Sequence, residues 1–247
     1  MLLSDIQPTP NEPVLFIKNK KILVFADLHI GIESELRAKG LSTPPQTPDM
    51  TNRLLELFEK YKPKEIIILG DVKHNIPSST YSERRDINKF LETIKNYGKV
   101  HVIPGNHDGN IKNFSPAEIV IHPSEGLLLE NIGFVHGHRW PSEEIMQADQ
   151  IIMAHTHPTV MLIDRLEHKS FESCWVKTSF DKSKLAEKYP NSSNPQVLIV
   201  PAFNPLCGGI PINKEGVMGP LGKLMDIDKS EIYLLDGTLL GNVKNIR

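Results

Sequence analysis

An α/β fold, with helices outside a parallel or mixed sheet and a second, more antiparallel sheet packed against the first, is what these 247 residues predict. Three observations carry that expectation. Short, almost wholly apolar runs alternate with helical stretches in a β-α-β-α-β order through the first part of the chain. Nearly every run stops at a turn that carries polar, metal-capable side chains. Beyond Thr159 the texture changes to short strand-like pieces. A chain this long supports one large domain over its whole length, because domains of such size bury roughly 70–75% of their unfolded surface.

Taken in order, Ile22, Leu23, Val24, Phe25 and Ala26 read as a strand covered on both faces that ends at Asp27. Leu54, Leu55, Phe58 and Tyr61 recur at helical spacing, as do Ile87, Phe90, Leu91 and Ile94, with Gly98 expected as the second helix's stop. Between and after them, Ile66, Ile67, Ile68 and Leu69 form a strand leading into Gly70-Asp71, and Val100, His101, Val102 and Ile103 lead into Pro104-Gly105-Asn106. Ile132, Gly133, Phe134 and Val135 feed His136, and Ile151, Ile152, Met153 and Ala154 feed His155. Further strand-like pieces fall at residues 160–163, 174–176, 197–200 and 232–235, and Asp236-Gly237 is a hairpin turn signal. Gly, Pro and Asn crowd residues 201–220, which should form a long ordered loop or flap near the site.

A formal charge of -2 and a pI near 6.6 exclude a generally basic surface that grips many phosphates, so any nucleic-acid contact is expected to be local. Cys174 and Cys207 lie too far apart for a thiolate metal knuckle and are too few for a disulfide framework. They read as two inert thiols in a reducing cytosol. No apolar stretch approaches the length of a membrane span, and residues 1–10 lack the basic start and apolar middle of a secretion signal. A cytoplasmic protein with no membrane partner is expected.

The polar turns hold the chemistry: Asp27-x-His29, Gly70-Asp71, Gly105-Asn106-His107-Asp108, His136-Gly137-His138 and His155-Thr156-His157. Two carboxylates, one amide and four imidazoles are the donors that a two-metal hydrolytic centre needs around one attacking oxygen, with His107 left over. An Asp and a His two residues apart give one cation a hard anionic oxygen and a neutral nitrogen. Asp71 suits a bridging position, where a shared carboxylate offsets the repulsion of two ions about 3.5–4 Å apart. Asn106 adds an uncharged oxygen, and His155 and His157 can serve different ions. Two divalent ions against two carboxylates and a hydroxide leave about one positive charge, for which an anionic phosphoryl group is the natural guest. Gly105-Asn106-His107-Asp108 is the sharpest of these signals, because three such residues at a strand end have little packing purpose. In His136-Gly137-His138 either imidazole can be the donor.

In this order, the motifs resemble those of the calcineurin-like metallophosphoesterase superfamily from Asp27 to His157. The stretches around Ala26 to Glu33, Gly70 to His74 and Pro201 to Leu206 further resemble its ICC-like branch, which includes the bacterial DNA-ligase-associated phosphoesterases. The resemblance implies a four-layer α-β-β-α sandwich with two mixed sheets and the metal site at the carboxyl ends of the strands. It also implies two divalent metals, manganese first, with zinc, iron or nickel as alternatives. Asp27, His29, Asp71 and His157 would hold one ion, and Asp71, Asn106, His136 and His155 the other. His136 is preferred to His138 because the family's ligand directly precedes the Gly. Ala154 stands where the family's last motif begins with Gly, and is small enough to fit.

The reaction expected is in-line attack on phosphorus by a metal-bridging hydroxide, with His107 giving a proton to the leaving oxygen and Asp108 holding its other ring nitrogen. His74, His138 and Arg139 are candidate substrate contacts, and Arg37, Arg84 and Arg85 weaker ones. Phosphodiester hydrolysis, with nucleic acid as one substrate class and monoesters as a second, is the leading expectation. A hydrolase of small phosphoesters or nucleotides, or a catalytically silent metal-binding module, are the alternatives. Seven buried polar groups have little reason to persist in a scaffold that no longer binds metal, which weighs against the silent module.

Overall fold

The computed structural model describes residues 5–246. The first sheet runs β1 (Ile6–Pro8), β2 (Leu15–Ile17), β3 (Ile22–Phe25), β4 (Glu65–Ile68), β5 (Lys99–Val102) and β6 (Val120–Ile121). Its first three strands pair antiparallel and β3 to β6 pair parallel. The apolar run of β3 serves two cores: Leu23 and Phe25 face the helices, while Ile22 and Val24 face the second sheet. Three helices belong to this half, α1 (Ile32–Ala38), α2 (Thr47–Tyr61) and α3 (Tyr81–Ile94). Helix α1 had no signal in the apolar spacing. Helix α3 starts in a capping box of Thr80 and Glu83 and ends at Ile94. Gly98 is therefore not its stop. It lies in the turn before β5, where a Cβ would come 3.0 Å from the Lys64 carbonyl oxygen.

The second sheet contains β7 (Leu127–Leu129), β8 (Ile132–Val135), β9 (Gln150–Met153), β10 (Pro158–Ile163), β11 (Lys169–Thr178), β12 (Gln196–Ile199) and β13 (Ile210–Pro211). They run in the order β13-β10-β11-β12-β9-β8-β7, and the hairpin β14 (Glu231–Leu234) and β15 (Leu239–Asn242) joins at β11. Strands β8, β9 and β12 are parallel, whereas most of their neighbours pair antiparallel, so this sheet is mixed too. It begins at Leu127, earlier than the change of texture after Thr159 indicated. Central parallel strands are apolar on both faces whichever sheet owns them, so β8 and β9 read like members of the first. Helices α4 (Lys182–Lys188) and α5 (Ile212–Glu215) complete this half. The Asp236-Gly237 turn closes the final hairpin, with Gly237 at φ 92°.

Three apolar cores separate four layers. One lies between the first sheet and α2 and α3, one between the sheets around Trp175 and Phe134, and one on the second sheet's outer face against Leu185 of α4. Residues 201–220 are not a free flap, since β13 and α5 fall within them. Among the described residues, no helix is long and apolar enough to cross a membrane.

Candidate metal centre

Every candidate donor sits in a turn just past the carboxyl end of a strand. Asp27 and His29 follow β3, Asp71 follows β4, Asn106 and His107 follow β5, His136 follows β8, and His155 and His157 link β9 to β10. Asp27, His29, Asp71, His155 and His157 all have left-handed backbones, with φ of 56°, 40°, 51°, 71° and 47°. Such conformations cost on the order of 1–3 kcal/mol each and persist where surrounding bonds impose them. Here the turns brace one another: Asp27 N donates to Gly70 O at 3.1 Å and His29 N to Asp71 O at 2.8 Å. Gly105 supplies the space Asp71 needs, because a Cβ there would lie 2.1 Å from Asp71 Oδ1.

Asp71 stands between two groups of donors. Its Oδ2 lies 3.5 Å from His29 Nε2 and 3.4 Å from His136 Nε2, while Oδ1 accepts His107 N at 2.9 Å. On one side His29 Nε2 and His157 Nε2 are 3.4 Å apart, and His157 Nε2 is 3.3 Å from Asp27 Oδ1. On the other, His136 Nε2 is 3.3 Å from Asn106 Oδ1, and its ring centroid is 5.0 Å from that of His155. Ligand atoms of Asp27, His29, Asp71 and His157 fall within 4.8 Å of one another, as do those of Asp71, His136 and His155. The structure thus brings together the carboxylates and imidazoles of the two sets that the resemblance implies, and it also gathers Cys207 with His29 and His157, and His74 and His107 with His29.

The donor chemistry fits divalent cations. Asp27 is 0% exposed, yet neither carboxylate oxygen accepts a hydrogen bond, a state that is costly for an ion kept from water. His136 Nδ1 donates to Leu69 O at 2.6 Å and His157 Nδ1 to Gly208 O at 3.0 Å, so in the neutral rings each Nε2 carries a lone pair toward the carboxylates. Burial, with help from His157 and His107, lowers the pKa of His29 to about 3 despite Asp71 and Asp27, and burial with His136 lowers that of His155 to about 4. Both rings are thus neutral and able to ligate. Burial opposes charge on Asp71 and His136, but their mutual attraction dominates, holding Asp71 well below the usual carboxylate range and raising His136 to about 9. A cation would take the place of that His136 proton.

Two expected roles change. Asp108 does not hold the His107 ring: its buried carboxylate accepts Lys73 N at 3.2 Å and Gly105 N at 2.9 Å, fixing the turn backbones. Burial, with Asp71 nearby, raises its pKa to about 6. The His107 ring instead donates from Nδ1 to the His74 carbonyl. Nor is His74 free for a phosphate. Its Nε2 meets Glu35 Oε2 at 2.6 Å and its Nδ1 faces His29 Nδ1 at 3.3 Å. His138 does reach the centre's rim, with its ring centroid 5.2 Å from that of His136 and a buried Nδ1 that lacks a partner. Exposed Arg139 lies 3.8 Å from Glu125 and lines a cavity of about 660 Å³ with His138, Trp140, Gly219 and Lys223. Arg84 packs over Phe114 and Arg85 pairs with Asp86, so both are spent on α3's own surroundings, and Arg37 is exposed on α1.

The sequence reading missed the supports. Glu83 of α3 accepts His74 N, Asn75 N and Thr80 N, and thereby holds the loop that carries His74. Its capping-box position was visible in Thr80-x-x-Glu83. Asn204 donates to Leu28 O at 2.7 Å and ties the later loop to the first motif, and Cys207 lies within it.

A calcineurin-like phosphoesterase family model matches residues 20–187. The phosphodiesterase YfcE of Escherichia coli K12 is 29% identical over 113 residues, which are 43% of this chain and 61% of that protein's length. The crystal structure of the Pseudomonas putida nuclease MPE superposes with a TM-score of 0.60 over 94% of this chain and 97% of that one, at 22% identity. That last likeness is one of fold, and it includes both mixed sheets.

Proposed function

The chain belongs to the calcineurin-like phosphoesterase family, and we propose that within it this protein is a phosphodiesterase that works with two divalent cations, manganese first among the candidates. The observation that carries this reading is Asp71 Oδ2, placed 3.5 Å from His29 Nε2 and 3.4 Å from His136 Nε2, where one carboxylate can serve two ions. Asp27, His29 and His157 would complete one position, and Asn106, His136 and His155 the other. When bound, the cations supply Lewis acidity toward phosphoryl oxygens and lower the pKa of water. The protein's own residues do the rest. The His74 carbonyl keeps one proton on His107 Nδ1, so the second proton of the imidazolium sits on Nε2; that form would give the Nε2 proton to the leaving oxygen and end as the neutral Nδ1–H ring. Buried Asp108 keeps the Gly105 turn in place beneath it.

The cavity lined by His138 and Arg139 supports a diester, since a second ester arm needs a surface to lie on. Arg139 and Lys223 offer charge to a flanking phosphate beside the opposing carboxylate of Glu125, and Trp140, 37% exposed with Lys188 Nζ 4.9 Å from its ring centroid, offers a partly open ring against which a base can lie. Single-stranded nucleic acid is therefore the substrate class we favour. The name of the fold relative MPE is in keeping with that choice.

Protein reconstituted with manganese is to be assayed on bis-nitrophenyl phosphate, nitrophenyl phosphate, cyclic nucleotides and single-stranded DNA. Turnover of the diesters and DNA, with the monoester slower, is expected. Turnover of the monoester alone would overturn the diester reading. Inertness toward all four with two ions bound would point to a binding module.

A further inference from the structure

Cys207 read from the sequence as an inert thiol, but the fold sets it against the first cation position. We propose that Cys207 is an additional ligand to the ion held by Asp27, His29 and His157, and that at this one position it overrides the manganese preference given above in favour of zinc, iron or cobalt. The inference rests on the two-cation reading above. Ligand atoms of His29, His157 and Cys207 lie within 4.8 Å of one another. Sulfur and imidazole donors stand about 2.3 and 2.0–2.1 Å from a zinc ion, which sets them about 3.5 Å apart across a tetrahedral angle, so donors gathered this closely can close on one ion with small side-chain shifts.

The loop is built to deliver the sulfur there. Phe203 N donates to Ala26 O at 3.0 Å, Asn204 N to Asp27 O at 3.3 Å, and Cys207 N to Asn204 O at 3.1 Å. On the far side Gly208 O accepts His157 Nδ1 at 3.0 Å, and Ile210 N donates to His157 O at 3.1 Å. Gly209 allows that close approach, since a Cβ there would lie 2.2 Å from Thr159 Cγ2 and 2.7 Å from His157 O. Cys207 is thus pinned between the Asp27 turn and the His157 turn. The thiol's present partner, Asp27 O at 3.7 Å, is a weak one, easily given up.

An independent observation marks the same place as a cation position: the buried Asp27 carboxylate, 3.3 Å from His157 Nε2, has no hydrogen bond on either oxygen. Coordination would deprotonate the thiol, with its proton released to solvent. The thiolate would offset the roughly one positive charge counted above, so attraction of a phosphoryl group would rest on direct contact of its oxygens with the cations and not on net charge. A soft sulfur among hard oxygens shifts preference away from manganese.

The test is the absorption spectrum of the full chain loaded with Co²⁺, with bound cobalt counted directly. Two bound cobalt ions with a near-ultraviolet thiolate-to-cobalt charge-transfer band are expected, with the band lost in Cys207→Ser and kept in Cys174→Ala. Zinc affinity should fall in Cys207→Ser by at least the 10- to 100-fold that loss of a mere supporting partner costs. Two bound cobalt ions without the band, or unchanged zinc affinity in the variant, would refute the role of Cys207 and leave the two-cation reading standing. Failure of cobalt to bind at all would overturn both.

Discussion

Replacing Glu83 with alanine removes one carboxylate that serves three backbone donors. His74 N and Asn75 N reach Oε1 at 2.9 and 2.8 Å, and Thr80 N reaches Oε2 at 3.2 Å. Stranding a buried donor costs about 1–3 kcal/mol. His74 and Asn75 are only partly buried, so the lower figure applies to each, and Thr80 is exposed so that water can take its N–H, giving a loss of about 2 kcal/mol. For a chain of this length, each kcal/mol lowers the melting temperature by about 2–4 °C, so Glu83→Ala should melt about 4–8 °C below wild type. Glu83→Gln keeps an oxygen for His74 and Asn75 and should lose well under half as much. The effect should also reach the chemistry, because the His74 carbonyl accepts the His107 ring. The alanine variant that remains folded should show a lower kcat with little change in KM, partly rescued in the glutamine variant. Thermal unfolding followed by circular dichroism, with steady-state kinetics on a diester, measures both. A melting temperature within about 2 °C of wild type, or a loss confined to KM, would refute the argument.

Two further outcomes are expected. His107→Gln should lower kcat on a DNA diester by about 10²- to 10⁴-fold but on bis-nitrophenyl phosphate by less than about tenfold, because nitrophenolate leaves without a proton. Equal losses would remove His107 from the role of acid. Away from the centre, His101 and His122 share a 2.8 Å hydrogen bond beside Glu65 and Lys99. Burial lowers both pKa values, with Lys99 adding to it, while Glu65 opposes the shift at His101. A depressed histidine pKa means that the unfolded chain takes up protons the folded chain refuses. Stability from this pair is therefore present above the unfolded value of about 6.5 and lost as pH falls below it. Melting temperatures between pH 7 and 5 should fall less steeply in His122→Gln than in wild type, and identical slopes would rule this out.

The strands and the donors were legible in the sequence for the same reason. A strand buried on both faces must be continuously apolar, so Asp27, Asp71, Asn106, His136 and His155 stand out where such runs stop. Helices α2 and α3 showed their apolar spacing, whereas α1 buries only Ile32 and Glu33 and had no stripe to read. Which sheet owned β8 and β9 was hidden, since that depends on partners far away in the chain. The error over Asp108 has a similar cause. Adjacency to His107 suggested contact, but consecutive residues leaving a strand point in different directions, and the carboxylate turned inward to Gly105 N and Lys73 N. Cys207 is separated from His157 by fifty residues, and spacing alone carried no sign of their meeting.

The left-handed turns at Asp27, His29, Asp71, His155 and His157 are tied by main-chain bonds between neighbouring loops. On the two-cation reading proposed above, the pincer would be cast by the fold, unlike a zinc finger, whose chain organises only around its metal. Chelators should strip such a protein without unravelling it, and one ion should exchange for another in the intact molecule. The supply of metals in the surroundings, as much as the polypeptide, would then decide which pair resides there.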